Sequence, residues 1–66
     1  MPLSEALALF RRLDVQVEAM SPIDFTLAYF ALAKRYHPDR NPAFHDLMSS
    51  INLARATILN TYRTIP

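Results

Sequence analysis

The sequence predicts an all-α fold, a long antiparallel helical hairpin with a shorter helix packed on it. Three observations carry this expectation. Apolar residues recur at intervals of three and four in three separate segments. Five prolines and no glycine punctuate the chain, which suits helix first turns and sharp connections and blocks strand interiors. No run alternates apolar and polar residues between hairpin signals, so no strand has a candidate. With 66 residues the chain has room for one small domain, and 52% apolar against 20% charged residues gives it a core to bury.

The first helix is expected at about residues 4–13, where Leu3, Leu7 (or Ala6), Phe10 and Leu13 form one stripe. Arg11 and Arg12 lie at its C-terminal end, where positive charge is favourable. Asp14 to Met20 has no strong periodicity and is expected to be a connection. The second helix, about 22–36, opens on Ser21-Pro22-Ile23-Asp24, an N-cap hydroxyl, a proline at the first position and an acidic residue at the third. Its core stripe is Phe25, Ala28, Tyr29, Leu32, Ala33 and Tyr36, and it must stop before Pro38, which pushes His37 out of helical geometry. The third helix, about 42–59, starts at Asn41-Pro42 and buries Phe44, Leu47, Met48, Ile51, Ala54, Ile58 and Leu59, with Asn60 closing it. Thr61 to Pro66 carries no pattern. The connection from His37 to Asn41 is too short for anything but an antiparallel turn-back, and the first helix then covers the groove between the other two.

Composition removes several function classes. Without Cys there are no disulfides, thiol chemistry or zinc-finger sets, and without Gly there is no phosphate-cradling loop. A net charge of +1 gives no global field for nucleic acid. No apolar run approaches a membrane span, and the N-terminus has no basic start followed by an apolar stretch, so a cytoplasmic chain without signal peptide is expected. His37 and His45 lack the spacing and count of a metal site, and a His37–Asp39 pair has no nucleophile beside it, so neither a cofactor nor catalysis is expected.

The informative stretch is Tyr36-His37-Pro38-Asp39-Arg40-Asn41-Pro42, placed at the tip of the hairpin. From Lys34 to Arg40, three positive charges (Lys34, Arg35, Arg40) accompany one negative, a local +2 in a chain of +1. A convex, charged, rigid tip is a poor active site and a good contact point. The bland reading is an ordinary capped turn with two basic residues favoring a helix C-terminus, and Tyr29 and Tyr36 belong to the core stripe. The flanks weigh against that reading. Ala28-Tyr29-Phe30-Ala31-Leu32-Ala33-Lys34-Arg35-Tyr36-His37-Pro38-Asp39-Arg40-Asn41, with Leu13-Asp14-Val15 upstream and Ile51-Asn52-Leu53-Ala54 plus Ile58 or Leu59 downstream, resembles the J-domains of DnaJ-type co-chaperones. The resemblance spans about residues 6–60.

That resemblance implies a partner, the ATPase domain and linker region of a DnaK-type heat-shock chaperone, whose ATP hydrolysis the chain would stimulate without being an enzyme itself. It implies that His37, Pro38 and Asp39 activate, with Lys34, Arg35, Arg40 and Asn41 as supporting contacts. The chain also departs from the family. J-domains usually carry Lys and Arg along the outer face of the second helix, where this chain has Thr26, Leu27, Phe30 and Ala31. Ile23, Leu27 and Phe30 thus form a second apolar stripe turned away from the core, a candidate second protein contact. Asp14 stands where Gly is usual, Met48 where an aromatic is common and Arg55 where Tyr is common. The loop after His37 is short, and a fourth helix is absent or reduced to Thr61-Tyr62-Arg63. Two other classes compete. A J-like scaffold or docking module without ATPase stimulation is favoured by the apolar stripe, and a helix-turn-helix DNA binder is disfavoured by a third helix with one Arg and one Asp over Pro42 to Leu59.

Overall fold

The computed structural model describes residues 1–64, and over these the fold is all-helical. The first helix, α1, is Leu3–Arg12, one residue earlier than expected at each end. Ala6 and Phe10 are its buried residues, so Ala6 takes the core position that Leu7 shares only in part, while Leu3 is exposed. The helix closes through three consecutive backbone bonds. Leu13 N–H donates to the Phe10 carbonyl (3.0 Å), Asp14 N–H to Arg11 (3.0 Å) and Val15 N–H back to Phe10 (2.9 Å). The last two bonds make a Schellman cap with Asp14 as its left-handed residue.

The connection from Asp14 to Met20 is more structured than its lack of periodicity suggests. Val15 and Val17 are both buried in the core, and Val17–Ala19 forms a 3-10 turn. A single turn is too short to display a helical period in sequence, which is why its core residues escape a pattern search.

The second helix, α2, is Pro22–Arg35, and Asp24 N–H donates to Ser21 Oγ at 3.1 Å, the expected N-cap. Phe25 and Leu32 are fully in the core, with Ala28, Tyr29, Ala33 and Tyr36 packed half-buried beside them. Tyr36, expected as the last helical residue, is the C-cap, its N–H bonded to the Leu32 carbonyl at 2.9 Å.

The third helix, α3, is His45–Thr64, and both expected ends are corrected. Asn41-Pro42 caps a 3-10 turn at Pro42–Phe44, with Asn41 Oδ1 accepting Ala43 N–H at 3.0 Å, and the α-helix follows it. Asn60 does not end the helix; residues 61–64 continue α3 as its last turn, so Thr61-Tyr62-Arg63 is not a remnant of a separate fourth helix. The remaining two positions of the unpatterned tail, 65 and 66, lie outside the described residues. Met48, Ile51, Ala54 and Ile58 face the core as expected.

Cross-contacts fix the direction of the hairpin. Tyr36 meets Phe44 (ring centroids 5.1 Å), Tyr29 O–H donates to Asn52 Oδ1 (2.7 Å), and Phe25 meets Tyr62 (6.3 Å). Going back along α2 therefore means going forward along α3, which is antiparallel packing. Phe10 of α1 inserts against Phe25 edge-on at 5.1 Å, so the short helix fills the groove between the two long ones. No helix among the described residues is long and apolar enough to cross a membrane.

Candidate functional site

The hairpin apex is built by proline at both ends. Pro38 forbids continuation of α2 through His37, and Pro42 starts the 3-10 turn that leads into α3. Between them His37 to Arg40 forms a β-turn, with Arg40 N–H donating to the His37 carbonyl at 2.9 Å and Pro38 in the second position, where its fixed φ suits the turn. Below the turn the Tyr36 and Phe44 rings meet edge to face at an interplanar angle of 89°, bracing the two strands of the loop together. The Arg35 guanidinium lies over the Tyr36 ring, 5.4 Å from its centroid.

His37 is tied into the turn it begins. Its Nδ1 accepts the Asp39 backbone N–H at 3.1 Å. The same nitrogen is 3.6 Å from Asp39 Oδ2, and the two contacts exclude each other, since accepting the amide requires a bare nitrogen and pairing with the carboxylate requires a protonated one. The amide contact is the shorter and meets hydrogen-bond geometry. The neutral ring then carries its hydrogen on Nε2, free to donate outward. Sequence reasoning left the tautomer open and missed this bond; the signal for it is a His two residues before an amide that a proline turn brings back.

The tip is solvent-facing. The His37 ring is 56% exposed and the Asp39 carboxylate 93% exposed, while Pro38 is half-buried. Lys34, Arg35, Arg40 and Asn41 are all exposed around it. Lys34 and Arg40 pair with no carboxylate among the described residues, so their charge is not spent inside the chain. The seven residues singled out by sequence thus lie together at the hairpin apex, all exposed apart from the half-buried Pro38.

The second stripe lies on the adjoining side of α2. Ile23, Leu27 and Phe30 are 74%, 61% and 51% exposed. Leu27, Phe30, Ala31, Lys34 and His37 line one open groove of about 620 Å³, so the apolar row runs directly into the tip. Between α2 and α3, Tyr29, His37, Pro38, His45, Met48 and Asn52 border a second cleft. No group of three His, Asp or Glu side chains among the described residues is placed to share a metal ion.

One bracing contact was not foreseen. Arg55, noted only as a departure from Tyr, stacks its guanidinium over Tyr29 at 4.6 Å while the Tyr29 hydroxyl donates to Asn52. The two contacts clamp the middle of α2 to α3, about two turns below the tip. Comparison of the chain with protein-family models, curated proteins and solved structures finds no match.

Proposed function

We propose that the chain is a J-domain-like co-chaperone module that binds a DnaK-type heat-shock chaperone and stimulates its ATP hydrolysis. The observation that carries this reading is the His37-Pro38-Asp39 turn, held rigid at the apex of an antiparallel hairpin and flanked by Lys34, Arg35 and Arg40. In this reading the chain makes and breaks no bond. The exposed Asp39 carboxylate accepts from a basic group of the chaperone, and His37 Nε2–H donates to an acceptor beside it. Pro38 and the Tyr36–Phe44 brace remove loop entropy that docking would otherwise cost. The footprint covers the chaperone's ATPase domain and linker region, involves no nucleic acid or cofactor, and belongs in the cytoplasm where such partners act.

The test is single-turnover ATP hydrolysis by a DnaK-type chaperone from the same cell, with the chain and with His37→Gln. Stimulation by the chain, falling to the unstimulated rate with the variant at unchanged helical circular dichroism, is the expected result. No stimulation by either protein would overturn it. A second reading, a docking module that keeps the shape without stimulating ATP hydrolysis, is favoured by the apolar row on α2, and that negative result would support it.

A further inference from the structure

The turn at the apex can hold the His37 ring in two ways, and one proton decides between them. In the neutral ring Nδ1 accepts the Asp39 backbone N–H at 3.1 Å, and the exposed Asp39 carboxylate is left to water. A proton on Nδ1 turns that acceptor into a donor facing a second donor, so the amide bond cannot persist. The acceptor then at hand is Asp39 Oδ2, 3.6 Å away. That separation is about 0.8 Å beyond a charge-assisted hydrogen bond, within reach of a small side-chain rotation.

The surrounding charges favour this exchange of partners over any other. Lys34 and Arg35 in the last turn of α2 and Arg40 in the loop are cations, and Asp39 is the only carboxylate from Lys34 to Asn41. From the start of α3, His45 borders the same cleft as His37, and Asp46 lies against His45, its Oδ1 3.6 Å from the His45 Nδ1. Tyr29 borders the cleft too, but its hydroxyl already donates to Asn52, and Tyr36 turns its ring to Phe44. The backbone does not depend on which state is present. Arg40 N–H donates to the His37 carbonyl at 2.9 Å in a turn whose second position is fixed by Pro38, and neither feature uses the imidazole. The Asp39 amide, once released, belongs to an exposed residue that water can reach.

We propose that His37 is a protonation switch built into the apex. Neutral, it holds the Asp39 amide and leaves the carboxylate open to a basic group of a partner. Protonated, it releases the amide and closes on the carboxylate, so the apex withdraws its own acceptor without moving the helices. The consequence for docking rests on the co-chaperone reading above and adds a regulation to that site: stimulation of ATP hydrolysis weakens as the ring takes up its proton.

The experiment is NMR of the 66-residue chain labelled with 15N and 13C, at about pH 7.5 and about pH 5.5, either side of the interval in which imidazoles as a class change charge. An N–H···N hydrogen bond transmits a scalar coupling between its two nitrogens, so the Asp39–His37 bond is observed directly. The coupling is expected at the higher pH and lost at the lower one. The Asp39 side-chain carboxyl carbon is expected to shift together with the His37 ring nitrogens, although carboxylates as a class stay ionised across the interval. His45→Gln removes the other imidazole and should leave both changes intact, with helical circular dichroism the same throughout. Stimulation of a DnaK-type chaperone, divided by the unstimulated rate at each pH, is recorded beside the spectra. It is expected to fall about threefold towards acid, because one acceptor site of the carboxylate is taken. Absence of the coupling at the higher pH, or a carboxyl carbon that does not follow the ring, overturns the switch whatever the chaperone does. Loss of both changes in His45→Gln overturns their assignment to His37. The exchange of partners with unchanged normalised stimulation overturns the closing of the site and leaves the co-chaperone reading standing. The same exchange without stimulation at either pH overturns the co-chaperone reading and leaves the switch established in the chain itself.

Discussion

Asp14 holds φ at 64°, the only positive value outside glycine among the described residues. It occupies the left-handed position of the Schellman cap that ends α1, where its amide and that of Val15 satisfy the last carbonyls of the helix. A side chain there strains against the following carbonyl by roughly 1 kcal/mol, partly relieved in Asp by its short polar group. Glycine removes the clash and keeps both hydrogen bonds. Asp14→Gly is therefore expected to raise stability by about 0.5–1 kcal/mol, shifting the thermal midpoint up by a few degrees in a chain this small. A midpoint that falls would show that the Asp14 side chain stabilises the cap by some other contact. This residue also shows what a single sequence conceals. The resemblance marks Asp14 as a place where Gly is usual, and the backbone angle supplies the physical reason, which the residue type alone does not show.

At the scale of elements, the connection between α1 and α2 is fastened by one ion pair. Arg11 Nη2 donates to Glu18 Oε2 at 3.0 Å, joining the last turn of α1 to the 3-10 turn Val17–Ala19 whose Val17 lies in the core. The Glu18 carboxyl is held below its ordinary value of 4.5, first by a hydrogen bond from its own backbone N–H and then by Arg11. A carboxylate with a lowered folded value contributes stability above its unfolded value and loses it as the pH falls through the folded one. The contribution is therefore present at neutral pH and disappears on going below about pH 4.5. Thermal melts of the chain and of Glu18→Gln should differ at neutral pH and converge in acid, whereas a gap constant with pH would show that the pair does not link this turn to protonation. Both groups are exposed, so the difference is small and shrinks with salt. The long helices were legible because each shows several periods and strong caps, Ser21-Pro22 for α2 and the Pro38 stop at its end. The misplaced boundary at α3 has a local cause. Asn41-Pro42 is a true cap, but it caps a 3-10 turn before the α-helix begins, and the two kinds of turn share the same start signals. The far end was cut short because Thr61, Tyr62 and Arg63 look polar in sequence, while Tyr62 packs half-buried against the core.

At the scale of the molecule, the shape follows from one helix being longer than the rest. The 20 residues of α3 span about 30 Å in a body whose extents are 39 × 21 × 18 Å, so the tip projects from one end of an elongated rod. The candidate site was the most legible part of the sequence, since its residues are contiguous and its proline signals are local. The bracing that makes it rigid was not, because Tyr36–Phe44, Tyr29–Asn52 and Tyr29–Arg55 depend on the register of two helices that no local pattern encodes. That register is set lower down, in the aromatic ladder in which Phe10 meets Phe25 and Phe25 meets Tyr62.

Phe25 of α2 is the joint of the whole structure, meeting Phe10 of α1 and Tyr62 of α3 and wholly buried. Removing a buried Phe costs about 3–5 kcal/mol, and a domain below about 70 residues seldom has more than that in total. Phe25→Ala is therefore expected to abolish the cooperative thermal transition at 25 °C and most of the helical circular dichroism, since an isolated helix of this length is marginal in water. Phe25→Leu keeps much of the volume and is expected to remain folded with a lowered midpoint. The pair separates scaffold from site. Under the proposed function Phe25→Leu still stimulates the chaperone's ATP hydrolysis at temperatures where it is folded, whereas His37→Gln is folded and inactive. A cooperative, scarcely shifted transition in Phe25→Ala would mean that the three helices do not depend on this one ring, and the tip would then owe its rigidity to the Tyr36–Phe44 brace and the Tyr29 clamp alone.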